Sequence, residues 1–187
     1  ARNLGLMVLF TGGWHLRLYA FKGQGTQYKY NTDWLAKGNP TFLWGNQVWD
    51  NIFWTVVSGV TVWTTYEVFM LWGYANGFIA WLDWRTEPVA FALIFLAIPV
   101  WREIHGYCYH RFLHWRPLYR HVHYLHHKNV NIGPWTGLAM HPDEHVLYLS
   151  AVLLFWLFPS HPLMVVFTLL QAALSPAIGH TGFENLV

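Results

Sequence analysis

The sequence predicts an all-α integral membrane protein: transmembrane helical hairpins carrying a histidine-rich helical cap on the cytoplasmic side. Three observations predict it. First, 55% of the 187 residues are hydrophobic and only 11% are charged, against about 25% charged in an ordinary soluble domain. Second, the apolar residues gather in long runs rather than in a two- or four-residue alternation. Third, nine of the twelve histidines fall between residues 105 and 145. The same figures exclude other classes. The single cysteine, Cys108, rules out an intramolecular disulfide framework, a Cys-x-x-Cys zinc ribbon and a four-cysteine iron–sulfur site. A net charge of +2, with no basic stripe carrying interleaved stacking residues, gives no reason to expect nucleic acid.

The chain begins at Ala1, which reads as a processed or trimmed N-terminus. Residues 4–10 are apolar, yet no basic region and cleavage pattern frame them, so no signal peptide is expected. Residues 14–50 are basic (Arg17, Lys22, Lys29, Lys37) and rich in Gly, Tyr and Trp, with a break at Asn39-Pro40. Residues 1–50 are therefore expected to form an interfacial or loop region, and residues 51–187 the membrane domain.

Residues 52–72 are 21 residues with one charge, Glu67, enough to cross a hydrocarbon core of roughly 30 Å. Glu67 is expected to pair inside the bundle. A polar turn over residues 74–87 follows. Residues 88–101 are apolar again and start with Pro88, a favoured first-turn residue. Fourteen residues make about 21 Å of helix, short for a span, so this helix is expected to continue past Arg102, with Pro99 as a kink site. Residues 146–158 and 162–174 are two more apolar runs, separated by Pro159-Ser160-His161-Pro162. Either one broken helix crosses once, or two short helices form a hairpin with that tetrapeptide as its turn. Residues 101–128 carry Arg102, Arg111, Arg116, Arg120 and Lys128 against one acid, Glu103. By the positive-inside bias this segment faces the cytoplasm.

The histidines carry the chemistry. On a helix, residues i and i+4 share a face. His110 and His114 therefore project together, as do His123, His126 and His127. Imidazole suits iron, zinc, copper and nickel, and five exceed a single tetrahedral site, so two metals are expected. His15, His105, His121 and His161 are read instead as polar anchors at the membrane interface, Cys108 as a packing residue, and Arg111 and Arg116 as contacts for lipid phosphate. His141 and His145 also stand i, i+4, and Pro142-Asp143-Glu144 reads as a helix start. A plain helix cap and a role at the metals remain equally open for this motif.

The ordered set His110–His114, Leu118-Tyr119, His123–His127, His141-Pro142-Asp143-Glu144 and Gly179-His180-Thr181-Gly182-Phe183 resembles the fatty acid hydroxylase/sterol desaturase superfamily. Within it the set is most similar to C4-methyl sterol oxidases and bacterial sterol-desaturase-like proteins. The resemblance implies a di-iron oxygenase that hydroxylates or desaturates a lipid C–H bond, sterol-like or fatty-acyl, with O2 as co-substrate. It implies His110, His114, His123, His126, His127 and His180 as metal ligands, with His141 and Glu144 as catalytic-site groups that orient them. A ligand role for His180 favours the hairpin, which returns it to the cap. A lipid substrate and an electron donor of cytochrome b5 or ferredoxin type are the implied partners, and the bacterial inner membrane or endoplasmic reticulum the location. The last HxxHH-type box of that superfamily does not occur before Val187, seven residues after His180. The expectation is that the polypeptide continues and supplies it. The alternative is a non-catalytic membrane subunit or scaffold of a larger complex, with an incomplete metal site. An HExxH protease motif is absent. The clustering of the histidines also speaks against a haem bundle, and the HPxE and GHxGF elements point away from fatty acyl desaturases.

Overall fold

The computed structural model describes residues 1–187 and is helical throughout, with no strand beyond three isolated bridges. Helix α1 covers Arg2–His15 and widens into a π-helical end over Leu16–Ala20. Helix α2 starts at Gln47, capped by the Asn46 side chain, which accepts from the Val48 and Trp49 amides. It runs through Gln47–Phe53, a π-helical stretch Trp54–Val60 and Thr61–Ala75 without leaving helical backbone angles at the joins. Helix α3 is Pro88–Leu113, and α4 joins Arg116–Leu118, Tyr119–His123 and Tyr124–His127. A 3-10 turn spans Pro134–Leu138. Helix α5 is Pro142–Leu149, tightened into a 3-10 end over Ser150–Trp156, and α6 is Pro162–Gly179.

Helix α6 is the axis of the packing. It touches α1, α2, α3 and the Pro134–Leu138 turn. Its Met164, Val165, Leu169, Ala172 and Ala173 sit in one core with Met7 of α1 and with Trp63 and Met70 of α2. Helix α3 is peripheral: only Ile98 and Leu113 along its 26 residues are buried. Leu93, Leu96, Val100 and Ile104 are each more than half exposed. Helices α3 and α6 are both long and apolar enough to cross a membrane. A helix that is apolar and yet unburied suits an apolar surrounding such as a membrane.

Several expectations are refined. The 52–72 segment lies inside the longer α2. Helix α3 continues past Arg102 with Pro99 in its interior. Residues 16–20, within the region expected to be interfacial or loop, are helical, with Leu18 and Tyr19 buried against Phe183. The runs flanking Pro159-Ser160-His161-Pro162 form two helical segments that pack against each other. The Tyr148 hydroxyl of α5 donates to the Ala172 carbonyl of α6 at 2.6 Å. Ser160 ties the turn down through main-chain bonds with Ala80 and Leu82, both at 2.9 Å. Glu67 finds its partners on α1, where Arg2 and Asn3 both donate to its carboxylate. Cys108 is exposed rather than packed, because α3 stands at the edge of the bundle.

Candidate metal centre

Two short helical segments build the centre. The last turn of α3 carries His110 and His114, whose Nε2 atoms lie 3.1 Å apart. The chain then turns at Trp115, which has extended backbone, and Pro117 opens α4 where its missing N–H is not needed. Helix α4 brings His123 and His127 back against them, with Nε2 atoms 2.9 Å apart. Ring centroids are 4.5 Å apart for His110–His123 and 5.1 Å for His114–His127. One ligand atom from each of the four lies within 4.8 Å of the others.

These spacings fit a metal. A metal–imidazole bond of about 2.0–2.1 Å puts neighbouring ligand nitrogens roughly 3.0 Å apart at right angles. Electrostatics point the same way. Burial pulls His123 down to about 4, and burial followed by the charge of His123 lowers His127. Neutral imidazole is the form that binds metal. His123 is fully buried, and its Nδ1 faces Glu144 Oε1 at 2.8 Å. A carboxylate there accepts a hydrogen bond from Nδ1–H, which holds the proton on Nδ1 and leaves Nε2 bare toward the other rings. Burial pushes Glu144 up to about 8, and its Oε2 has no hydrogen-bond partner. A buried carboxyl in that state is one that a nearby cation would stabilise as the anion.

His126, grouped with its neighbours by spacing, turns away from the four. Its ring lies 5.4 Å from that of His180, and both line a recess of about 380 Å³ beside His127. His180 Nδ1 donates to the Pro176 carbonyl at 2.9 Å, which leaves Nε2 bare. His126 Nδ1 is buried without a partner, and burial pulls the ring down to about 3. Four histidines thus form one group and two form an adjoining pair.

The remaining sites separate cleanly. His141 makes helix-cap contacts, accepting from the Asp143 amide at 3.3 Å, and lies outside the histidine group. His145, fully buried, bridges Ser58 Oγ at 2.9 Å and the Leu138 carbonyl at 3.0 Å. His105 meets Ser150 Oγ at 3.0 Å, His161 caps α6, His15 stacks on Tyr19 and His121 is exposed. Sequence reasoning missed the polar clamp behind α4. Lys128 pairs with the buried Asp50 at 2.9 Å, and Gln47 donates to Asn129 Oδ1 at 3.0 Å and to the Asn131 carbonyl at 2.6 Å.

Residues 94–187 match the family model described as fatty acid hydroxylase. The chain belongs to the fatty acid hydroxylase family. The matched region contains all six histidines considered as ligands, together with Glu144, and leaves out α1 and α2. No curated protein and no solved structure matches the chain. Membership in the fatty acid hydroxylase family implies oxidoreductase activity of the lipid hydroxylase or desaturase type. That family is typically iron-dependent, and the four-histidine group is one that can bind metal. The two apolar helices and the fatty acid hydroxylase family together point to association with a membrane.

Proposed function

We propose that this chain is a membrane di-iron oxygenase that performs O2-dependent hydroxylation or desaturation of a lipid C–H bond, sterol-like or fatty-acyl. The observation that carries the proposal is the convergence of four imidazoles from α3 and α4 within 4.8 Å, beside a second imidazole pair. His110, His114, His123 and His127 would hold one iron, and His126 with His180 would contribute to the second. Bound iron supplies the O2-dependent removal of hydrogen from an unactivated C–H bond. Glu144 fixes the tautomer and orientation of His123. Burial of His123, and the lowered pKa values of His126 and His127, keep these rings neutral near pH 7.

Electrons come from a donor of cytochrome b5 or ferredoxin type, for which the exposed Arg111, Arg116 and Arg120 offer a basic face. The same positive bias supports a cap facing the cytoplasm, in the bacterial inner membrane or the endoplasmic reticulum. The order of the histidine motifs supports a place near the C4-methyl sterol oxidases. The test is elemental analysis of the purified protein with O2-dependent product formation. Two irons per chain are expected, falling to about one in a His126→Ala/His180→Ala double variant. Protein without metal while all six histidines are intact would overturn the proposal and leave the non-catalytic scaffold.

A further inference from the structure

A pocket of about 540 Å³ lies between the end of α1 and the start of α2 and shares no residue with either histidine group. That volume is in the range of a small-molecule site. Its charged lining is wholly basic, Lys22 and Lys37, and neither lysine forms an ion pair. The acids of the neighbouring chain are engaged elsewhere. Asp50 is fully buried and holds Lys128. Asp33, next to Trp34 in the chain, is exposed, and its charge acts on Lys29. Lys29 is itself spent on the Asn31 and Asp33 carbonyls and on Asn131 Oδ1. Arg17 and Glu184 stand outside the lining, where Arg17 donates to the Val187 carbonyl and the Glu184 amide to that of Tyr28.

Lys22 is placed at a cost. It ends α1 in the left-handed region, at φ 52°, between the Phe21 and Gly23 amides, which bond back to Leu16 and Arg17. Glycine is the usual residue at such a position, and a lysine there is strained. Its ammonium lies 4.4 Å from the centroid of the Trp34 ring. That ring therefore already carries a cation, and an amine headgroup would meet two like charges. An anion would meet two unpaired ones. His15 also lines the pocket, and its buried Nδ1 has no hydrogen-bond partner.

The depth of the pocket fits a lipid. Arg2, paired with Glu67, stands about 27 Å from Ala20 along α1, close to the thickness of a hydrocarbon core. The Tyr19 hydroxyl meets the Ile132 and Thr181 carbonyls at 2.7 and 2.8 Å, so the pocket is at the end of the bundle that carries His180. Trp49 on its wall and Phe21 beside it are more than half exposed, as aromatic residues at a membrane–water boundary are.

We propose that this pocket binds the phosphate of an anionic diacyl phospholipid of the phosphatidylglycerol type. Lys22 and Lys37 grip the phosphate, and Trp34, Leu35 and Val48 meet the glycerol and the first acyl carbons. The lipid is a bound ligand of the fold rather than a substrate of the histidine centre.

The experiment is native mass spectrometry of the detergent-purified chain titrated with dioleoyl phosphatidylglycerol or dioleoyl phosphatidylcholine. The first phosphatidylglycerol is expected to bind more tightly than the first phosphatidylcholine. Lys22→Asn/Lys37→Gln is expected to weaken the first phosphatidylglycerol by about tenfold or more and to leave phosphatidylcholine unchanged. Asparagine tolerates the left-handed backbone, so the lipid-free thermal midpoint is expected to stay at the wild-type value. Lys22→Arg/Lys37→Arg is expected to keep most of the affinity. Ala20→Phe, which fills the pocket and leaves its charge alone, is expected to weaken phosphatidylglycerol as well. Arg85→Gln/Arg120→Gln removes the same charge at exposed positions elsewhere and is expected to bind as wild type. An equal loss in that variant, or wild-type affinity in Lys22→Asn/Lys37→Gln or Ala20→Phe, would overturn the proposal. So would displacement of the lipid by millimolar inorganic phosphate, which would make the ligand a soluble anion instead.

Discussion

Glu144 Oε1 lies 2.8 Å from His123 Nδ1, and both side chains are sealed from solvent. The contact joins α5 to α4 and aims the far nitrogen of His123 at the other three rings. Groups that orient a metal-bound histidine in this way typically contribute 10–100-fold to metal affinity. Glu144→Gln keeps a hydrogen-bond acceptor but not the charge, and Glu144→Ala removes both. Metal affinity, measured by competition with a chromogenic chelator, is expected to fall about tenfold in the first and towards 100-fold in the second. Equal affinities in all three proteins would show that the contact only packs.

Lys128 follows directly on His127, and its ammonium reaches the fully buried Asp50 on α2. Breaking a buried pair by removing one partner costs about 3–5 kcal/mol, because the other charge is left without compensation. Lys128→Met is therefore expected to lower the thermal midpoint sharply and to reduce metal retention at α4. Asp50→Asn added to Lys128→Met removes the orphaned charge and is expected to recover much of the loss. Thermal unfolding in detergent with metal content read in parallel checks both. A double variant no better than the single one would refute the account.

The histidine boxes were legible because helical spacing states which side chains share a face. His110 with His114 and His123 with His127 stand at i, i+4, and they meet. Spacing and the family resemblance both group His126 with them, yet it sits one residue, about 100°, from His127. The two rings cannot point at the same spot, and His126 serves His180 instead. Apolar runs of this length fit one crossing or a hairpin equally well; the structure adds that the two runs pack against each other, with the Tyr148 hydroxyl on the Ala172 carbonyl. The clamp behind α4 was out of reach for a different reason. Its partners are 78 to 84 residues apart, and nothing local in Gln47 or Asp50 announces them. Cys108 shows the converse limit. Only Ile98 and Leu113 of α3 are buried, and spacing along one helix does not say which of its faces meets the bundle.

Gly137 is the closest approach between the Pro134–Leu138 turn and α6. A Cβ at this position would stand 2.6 Å from the backbone carbon and oxygen of Pro176. Backbone cannot rotate aside, so the turn or the helix must move. Overpacking of this kind typically costs about 1–3 kcal/mol. The Pro176 carbonyl also holds His180 Nδ1, so the displacement reaches the second imidazole pair. Gly137→Ala is expected to lower the thermal midpoint and to lose metal from the His126–His180 pair before the four-histidine group. Full stoichiometry at wild-type stability would contradict this.

His145 sets an acid limit on the fold. It is fully buried between Ser58 and the Leu138 carbonyl, and burial pulls it down to about 4 from 6.5. The unfolded chain takes up a proton near pH 6.5 that the folded chain refuses until about pH 4. Stability is thus fully present above pH 6.5 and is lost as pH falls towards 4, by on the order of 3 kcal/mol for this residue. His123 and His126, also lowered by burial, act in the same direction in metal-stripped protein. His145→Gln can donate to Leu138 and accept from Ser58 but does not titrate. Its thermal midpoint is expected to start below wild type at pH 7 and to fall less steeply between pH 6.5 and 4. Parallel curves for the two proteins, measured without metal in one detergent, would remove His145 as a source of the acid sensitivity.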